Sequence, residues 1–432
     1  MDSIWRKTAS LPSFDSLSGD TTADVLIIGG GMAGILCARE LTDLGIDCML
    51  VEAKRICSGI TENTTAKITL QHGLIYDKMI RRFGIEGART YVCAQKEAMD
   101  KYKKLCREID CDYEEKDSYV YSLSDRKKIE NEVLALRRLG VKVEFTDNLP
   151  LPFEVKGAVR VPNQAQFDPL KFVGGIVRGL RIFEDTKVLE LGCGFAITNR
   201  GRIKAKNIIV ATHFPFINKH GSFFLKMYQH RSYVLAIENA QSVGGMYVDE
   251  NEKGMSFRNY ENLLLLGGGG HRTGKKGGNW RELEAFARKH YPSARIHAKW
   301  ATQDCMTLDS IPYIGRYSRS TEGLFVATGF NKWGMTSSMV ASGILADLIQ
   351  GKKNEYSKLF SPSRSILRPQ LAINAAESVL GLITPTAPRC PHLGCALKYN
   401  KAEHSWDCPC HGSRFSESGE LLNNPATDDK HL

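Results

Sequence analysis

Two short boxes near the C-terminus hold the residues best equipped for chemistry. Cys390-Pro391-His392-Leu393-Gly394-Cys395 comes first, and Cys408-Pro409-Cys410-His411-Gly412-Ser413 follows. Each box pairs a thiol with an imidazole, Cys390 with His392 and Cys408 with His411, and fifteen residues separate the pairs. Such pairs suit a metal centre. One form is a Cys2His2 zinc site, although structural zinc usually takes a Cys pair followed by a His pair. The other is a two-iron centre with two thiolates on one iron and two imidazoles on the other, which needs one Cys/His pair on each of two facing loops. Gly394 and Gly412 allow both loops to turn tightly.

Residues 390–432 resemble the cluster-binding part of Rieske [2Fe–2S] domains. The resemblance implies Cys390, His392, Cys408 and His411 as cluster ligands. It also implies a bond between Cys395 and Cys410 that pins the loops. Asn424-Pro425-Ala426 is similar to the proline loop that covers the cluster in that family. Ser413 stands where the family places a hydroxyl near a bridging sulfide, and Phe415 where high-potential members often carry Tyr. Donors to sulfur stabilise the more negative reduced state, so the missing hydroxyl implies a lowered reduction potential. A full domain of this kind has several strands before its first box. Here residues 365–389 offer a short apolar stretch and Thr384-Pro385-Thr386-Ala387-Pro388. A linker over 366–389 and a shortened module over 390–432 are therefore expected. A one-electron centre of this kind implies a redox partner in the rest of the chain.

The elements that supply it begin near residue 24. The run Val25–Ile28 reads as a strand and enters Gly29-x-Gly31-x-x-Gly34. Gly29 permits the turn, Gly31 lets backbone approach a pyrophosphate, and Gly34 packs the following helix on the strand. That helix starts at Met32 and Ala33 and directs its positive end at the phosphates. A second strand ends at Glu52, where a carboxylate accepts ribose hydroxyls. The fingerprint alone leaves NAD and FAD open. Residues 20–365 resemble the D-amino-acid and glycine oxidase family of FAD-dependent oxidoreductases, on three further segments. Residues 57–73 look like the loop beneath the isoalloxazine, Ile208–His213 like the strand returning to the nucleotide, and Leu324–Thr336 like the closing strand and helix start. The resemblance implies bound FAD, with contacts from Ala53, Ser58, Thr64, Thr65, Ala66, Val188, Ala211, Thr212, Gly329, Gly334, Met335 and Thr336.

The segment Trp300–Gly315 matches, without a gap, a block of that family in which an arginine grips the substrate carboxylate; here the arginine's place holds Asp304. A carboxylate attracts an ammonium or accepts hydrogen bonds, so an amine, or an amino acid held differently, is the expected substrate. Lys67, Trp333, Asp304 and Tyr233 are the candidate catalytic residues, and His72, His230, Arg231 and Arg258 are further pocket candidates. Gly269–Lys276 nearly matches a phosphate-binding loop, but Lys276 stands where a Ser or Thr would hold magnesium. A glycine-rich hairpin after a strand Leu263–Leu266 is expected there instead.

The family implies a Rossmann-like α/β flavin-binding domain of the glutathione-reductase type, with an interleaved α+β substrate domain and a small all-β cluster module. The flavin domain is assigned to 1–90, 165–215 and 310–365, and the substrate domain to 91–164 and 216–309. Oxidation of a CH–NH bond would reduce the flavin, and the cluster would pass electrons singly to an external acceptor. That makes the expected enzyme a dehydrogenase rather than an efficient oxidase. An electron-transfer flavo-iron–sulfur protein without organic substrate, and a flavin monooxygenase, are the alternatives; the sequence offers no second dinucleotide fingerprint for the latter.

The 432 residues carry a net charge of +10, which suits a small acidic redox protein as acceptor. Acids interleave with the basic residues, as in Lys101–Glu108, so nucleic-acid binding is not expected. No apolar run reaches the roughly 18–20 residues of a membrane span, and residues 1–24 are polar. A cytoplasmic protein is expected.

Overall fold

The computed structural model describes residues 2–217, 220–385 and 388–430. Its first sheet has eight strands. Thr21–Ile28 sits at the centre, hydrogen-bonded in parallel to Arg202–Val210 on one side and Cys48–Val51 on the other. Leu324–Thr328 continues the parallel order beyond Arg202–Val210, and Ile182–Phe183 beyond Cys48–Val51. A strand covered on both faces needs a continuous apolar run, and Val25, Leu26, Ile27 and Ile28 are all buried. Helices Met32–Asp43 and Gly334–Ile349 pack together over this sheet. Residues 24–28 and 324–328 thereby bring two distant segments to one nucleotide edge.

The second sheet has nine strands. Met227–Glu238 lies between Leu263–Arg272 and Arg295–Thr307, antiparallel to both. Ser256–Tyr260, Met246–Asp249, Glu114–Ser122 and Gly157–Gln166 extend it, and Lys67–Ile68 closes its edge. The expected glycine-rich hairpin is absent. Leu263–Arg272 runs as one strand straight through Gly267–Gly270, and the turn comes later at Gly274, φ +75°. Glycines here leave out side chains where neighbours crowd: a Cβ on Gly270 would stand 2.7 Å from His230 Cε1.

The third sheet is a four-stranded antiparallel meander, Lys398–Asn400, Ser405–Asp407, Arg414–Ser416 and Leu421–Asn423. The segment expected as linker is instead largely helical, over Pro369–Ile383. Pro369 opens this helix, where its missing N–H costs nothing. Gly381 near its end lies against the cysteines of both boxes, so that a Cβ there would stand 2.5 Å from Cys410 Sγ. Thr386 and Ala387 of that segment lie outside the described residues. Among the described residues no helix is long and apolar enough to cross a membrane.

Candidate active site

A cavity of ≈ 650 Å³ opens where the two large sheets meet. That volume falls within the roughly 300–1,000 Å³ of small-molecule sites. One end is the fingerprint. Gly29 has φ +110°, and a Cβ there would stand 2.6 Å from Ala211 O; on Gly34 it would stand 1.9 Å from Gly29 O. Gly31 and the start of Met32–Asp43 face the cavity. Glu52 holds the turn, its carboxylate accepting from Gly30 N at 2.7 Å and Lys54 N at 3.0 Å. Burial raises the Glu52 pKa, opposed by these backbone donors.

Of the residues expected at FAD, Gly29, Gly31, Met32, Ala33, Glu52, Ala53, Ser58, Thr64, Thr65, Val188, Ala211, Thr212, Gly334 and Met335 line this cavity. Gly34, Ala66, Gly329 and Thr336 stand behind it. Gly34 packs on Gly29, and Gly329, φ +72°, packs on Thr307. Thr336 Oγ1 meets Thr69 O and the His72 ring. Ala66 O accepts from Arg258, as does Thr65 O, at 2.9 and 2.7 Å. Trp5 donates to Thr64 O and Trp300 to Asn63 O, so three separate elements fix the loop at 63–66. Arg258 therefore supports the loop beneath the cavity.

Lys67, Asp304, Tyr233 and Trp333 also line the cavity. Lys67 Nζ donates to Thr65 Oγ1 at 2.9 Å, and burial beside Arg258 brings its pKa down to about 7. Asp304 sits on Arg295–Thr307 opposite His230, and burial raises its pKa to about 6 against the pull of Lys332 and Arg231. Trp333 stacks on His72, ring centroids 5.0 Å apart. His72 is tied to Tyr91 and Thr69, and burial lowers its pKa to about 3, which keeps it neutral. Tyr233 reaches the cavity with its ring, but its hydroxyl meets Glu403 at 2.9 Å and His271 at 3.0 Å and is committed there. Arg231 likewise turns away, onto Glu403.

Lys332 is a cavity cation that sequence reading passed over. Asn331 and Lys332 adopt φ +51° and +72° in succession, a strained turn of the kind that gathers at functional sites. Its only sequence signal is adjacency to Trp333.

The two boxes form matched turns. Gly394 N donates to Cys390 O, and Gly412 N to Cys408 O, both at 2.9 Å. Gly394 and Gly412 have φ +75° and +88°. Cys390, Cys408 and His411 are buried, and the His392 and His411 rings meet edge to face at 5.0 Å. Neither ring nitrogen of buried His411 has a hydrogen-bond partner of normal geometry among the described residues, so one is free to ligate a metal. Cys395, Cys408 and Cys410 hold their Sγ atoms within 4.8 Å of one another. That trio includes the two cysteines expected to bond to each other; the donor set that fits a [2Fe–2S] cluster is buried Cys390 and Cys408 with the adjoining His392 and His411 rings. Ser413 Oγ accepts from Ala426 N at 3.0 Å, tying the 424–426 loop to the second box.

The family model DAO, described as FAD dependent oxidoreductase, matches residues 24–348. The chain belongs to the DAO family. This DAO-family oxidoreductase carries a second matched module, Rieske [2Fe–2S] domain, over residues 363–431, which takes in the helix Pro369–Ile383. It binds FAD in the first domain and a [2Fe–2S] cluster in the second. It is 37% identical to a Rieske 2Fe-2S iron-sulfur protein of Bacillus subtilis (strain 168), over 98% of this chain and 96% of that one. It is 23% identical to gamma-glutamylputrescine oxidoreductase of Escherichia coli (strain K12), over 84% and 93%. Glycine oxidase from Geobacillus kaustophilus shares the fold at TM-score 0.67 and 19% identity, over 80% of this chain and 99% of that one.

Proposed function

We propose that this DAO-family oxidoreductase oxidises the CH–NH bond of an amine or amino acid and sends the electrons through its cluster to an external acceptor. One observation carries the reading. A single cavity is bounded by the fingerprint glycines, by Asp304, Lys67 and Trp333, and by residues 421–427 of the cluster module. When bound, the flavin takes two electrons from substrate and the cluster moves them one at a time.

The chain's own residues orient the substrate. Asp304, ionised above about pH 6, attracts the substrate ammonium. Lys67, neutral above about pH 7, accepts a proton from that ammonium so that the free amine reacts. Trp333, fixed by the His72 stack, supplies an apolar wall that excludes water. Lys332 offers a cation for a substrate carboxylate; burial lowers its pKa, opposed by Asp304 and Glu252.

Anaerobic stopped-flow mixing with primary and secondary amines and with ordinary D-amino acids tests this. Flavin bleaching by amines at least tenfold faster than by D-amino acids is expected. Equal or faster bleaching by D-amino acids would remove Asp304 as the group that selects substrate. Bleaching by neither would favour the electron-transfer protein without organic substrate.

A further inference from the structure

The cluster module touches the flavin domain at a particular place. Leu421, Leu422, Asn423, Asn424, Ala426 and Thr427 line the same cavity as the fingerprint. Glu52 marks the ribose end of that cavity, and two residues beyond it Lys54 Nζ donates to Leu421 O at 3.4 Å. Lys187, beside Val188, donates to Thr427 O. Asn424 Nδ2 donates to Thr212 O and Phe214 O, both at 2.6 Å, at the end of the strand that returns to the nucleotide. From the other side, Gln229 Nε2 donates at 2.9 Å to both Asn424 O and His411 O.

We propose that residues 421–427 of the cluster module are part of the FAD site, closing its adenosine end, so that FAD is retained only while the cluster loops are folded. This goes beyond the substrate reading and does not depend on it. The segment is hung on the second box by the Ala426–Ser413 hydrogen bond and by Gln229. Loosening the box therefore releases the segment, and the adenosine then faces solvent. The two cofactors are thereby coupled: loss of the cluster is followed by loss of the flavin.

The test is FAD release from the full-length holoprotein, read as the rise in free-flavin fluorescence after dilution. Iron content and the EPR signal of the dithionite-reduced cluster are measured in parallel. Asn424→Ala removes the two Asn424 hydrogen bonds to the flavin domain. Release about tenfold faster than wild type, with iron and EPR signal unchanged, is the expected result; one net hydrogen bond is worth roughly that factor. Release at the wild-type rate with the cluster intact overturns the proposal. Where Asn424→Ala does not keep its iron, Lys187→Met, which removes the hydrogen bond to Thr427 O and touches no cluster ligand, decides by the same criterion. Iron stripped from wild type with a chelator should speed release similarly, and unaltered release from the stripped protein also counts against it.

Discussion

Asp304 stands where the wider family places a carboxylate-gripping arginine, and the structure lets it face the cavity as a carboxylate. Lys332 pulls on it more strongly than Arg231, which is held by Glu403. Burial puts the Asp304 pKa at about 6, so its charge is present above that value and lost as pH falls through it. For an amine that stays protonated throughout, kcat/KM should fall about tenfold per pH unit below 7, where Lys67 gains its proton, and about a hundredfold per unit below 6, where Asp304 gains one too, since this parameter follows the free enzyme. Asp304→Asn should lower kcat/KM at pH 7.5 by roughly tenfold or more, the loss of one charge-assisted contact, and should remove the steeper fall below 6, leaving only the Lys67 limb below 7. A profile that keeps its limb near pH 6 in the variant would assign the titration elsewhere.

At the scale of elements, glycines set how closely the chain approaches itself. A Cβ on Gly412, at φ +88°, would stand 2.5 Å from Gln229 Cβ. Gln229 and Gln303 together bond His411 O, Asn424 O and Gly412 O, so this strand face is the seat of the second box. Gly412→Ala should push the box off its seat at a cost of about 1–3 kcal/mol, seen as lost iron and a weakened EPR signal; full cluster occupancy would show the seat to be dispensable. The ligand boxes, the fingerprint and the closing segment at 324–336 are legible in the sequence, because each depends on spacing within a few residues. The seat is not: Gln229 and Gln303 lie on neighbouring strands of one sheet and acquire meaning only when residues 411–424 are laid across them. The helix Pro369–Ile383 is equally hidden, since a short apolar stretch before a proline-rich run reads as easily as a tether. The strand through Gly267–Gly270 misleads because glycines usually announce a turn, whereas here they make room between packed strands.

Across the whole molecule, the cluster module is fastened to the substrate sheet by buried charge. Glu403 is bonded by Arg231, by Arg414 at 2.8 Å and by Tyr233 at 2.9 Å, and Arg414 also reaches Asp407 at 2.9 Å. Burial opposes ionisation of Glu403, yet the two guanidiniums hold its pKa down at about 2. A depressed carboxylate stabilises the fold above its unfolded pKa of roughly 4.3 and loses that contribution as pH falls toward its folded value. The fastening is thus complete at neutral pH and weakens only in acid, between about pH 4 and 2. Glu403→Gln leaves Arg231 buried without its anion, and Arg414 with Asp407 alone, and should destabilise the protein by roughly 3 kcal/mol, measured by denaturant unfolding at pH 7. A change below 0.5 kcal/mol would mean that water fills the gap.

A cluster fastened in this way against the wall of the flavin cavity should accept electrons without first moving. Anaerobic protein mixed with excess amine, freeze-quenched over milliseconds and examined by EPR, tests that most directly. The account predicts a reduced [2Fe–2S] signal that grows together with flavin bleaching, before any external acceptor is added. A flavin fully bleached by amine beside a cluster that stays oxidised, although dithionite reduces it, would contradict the relay.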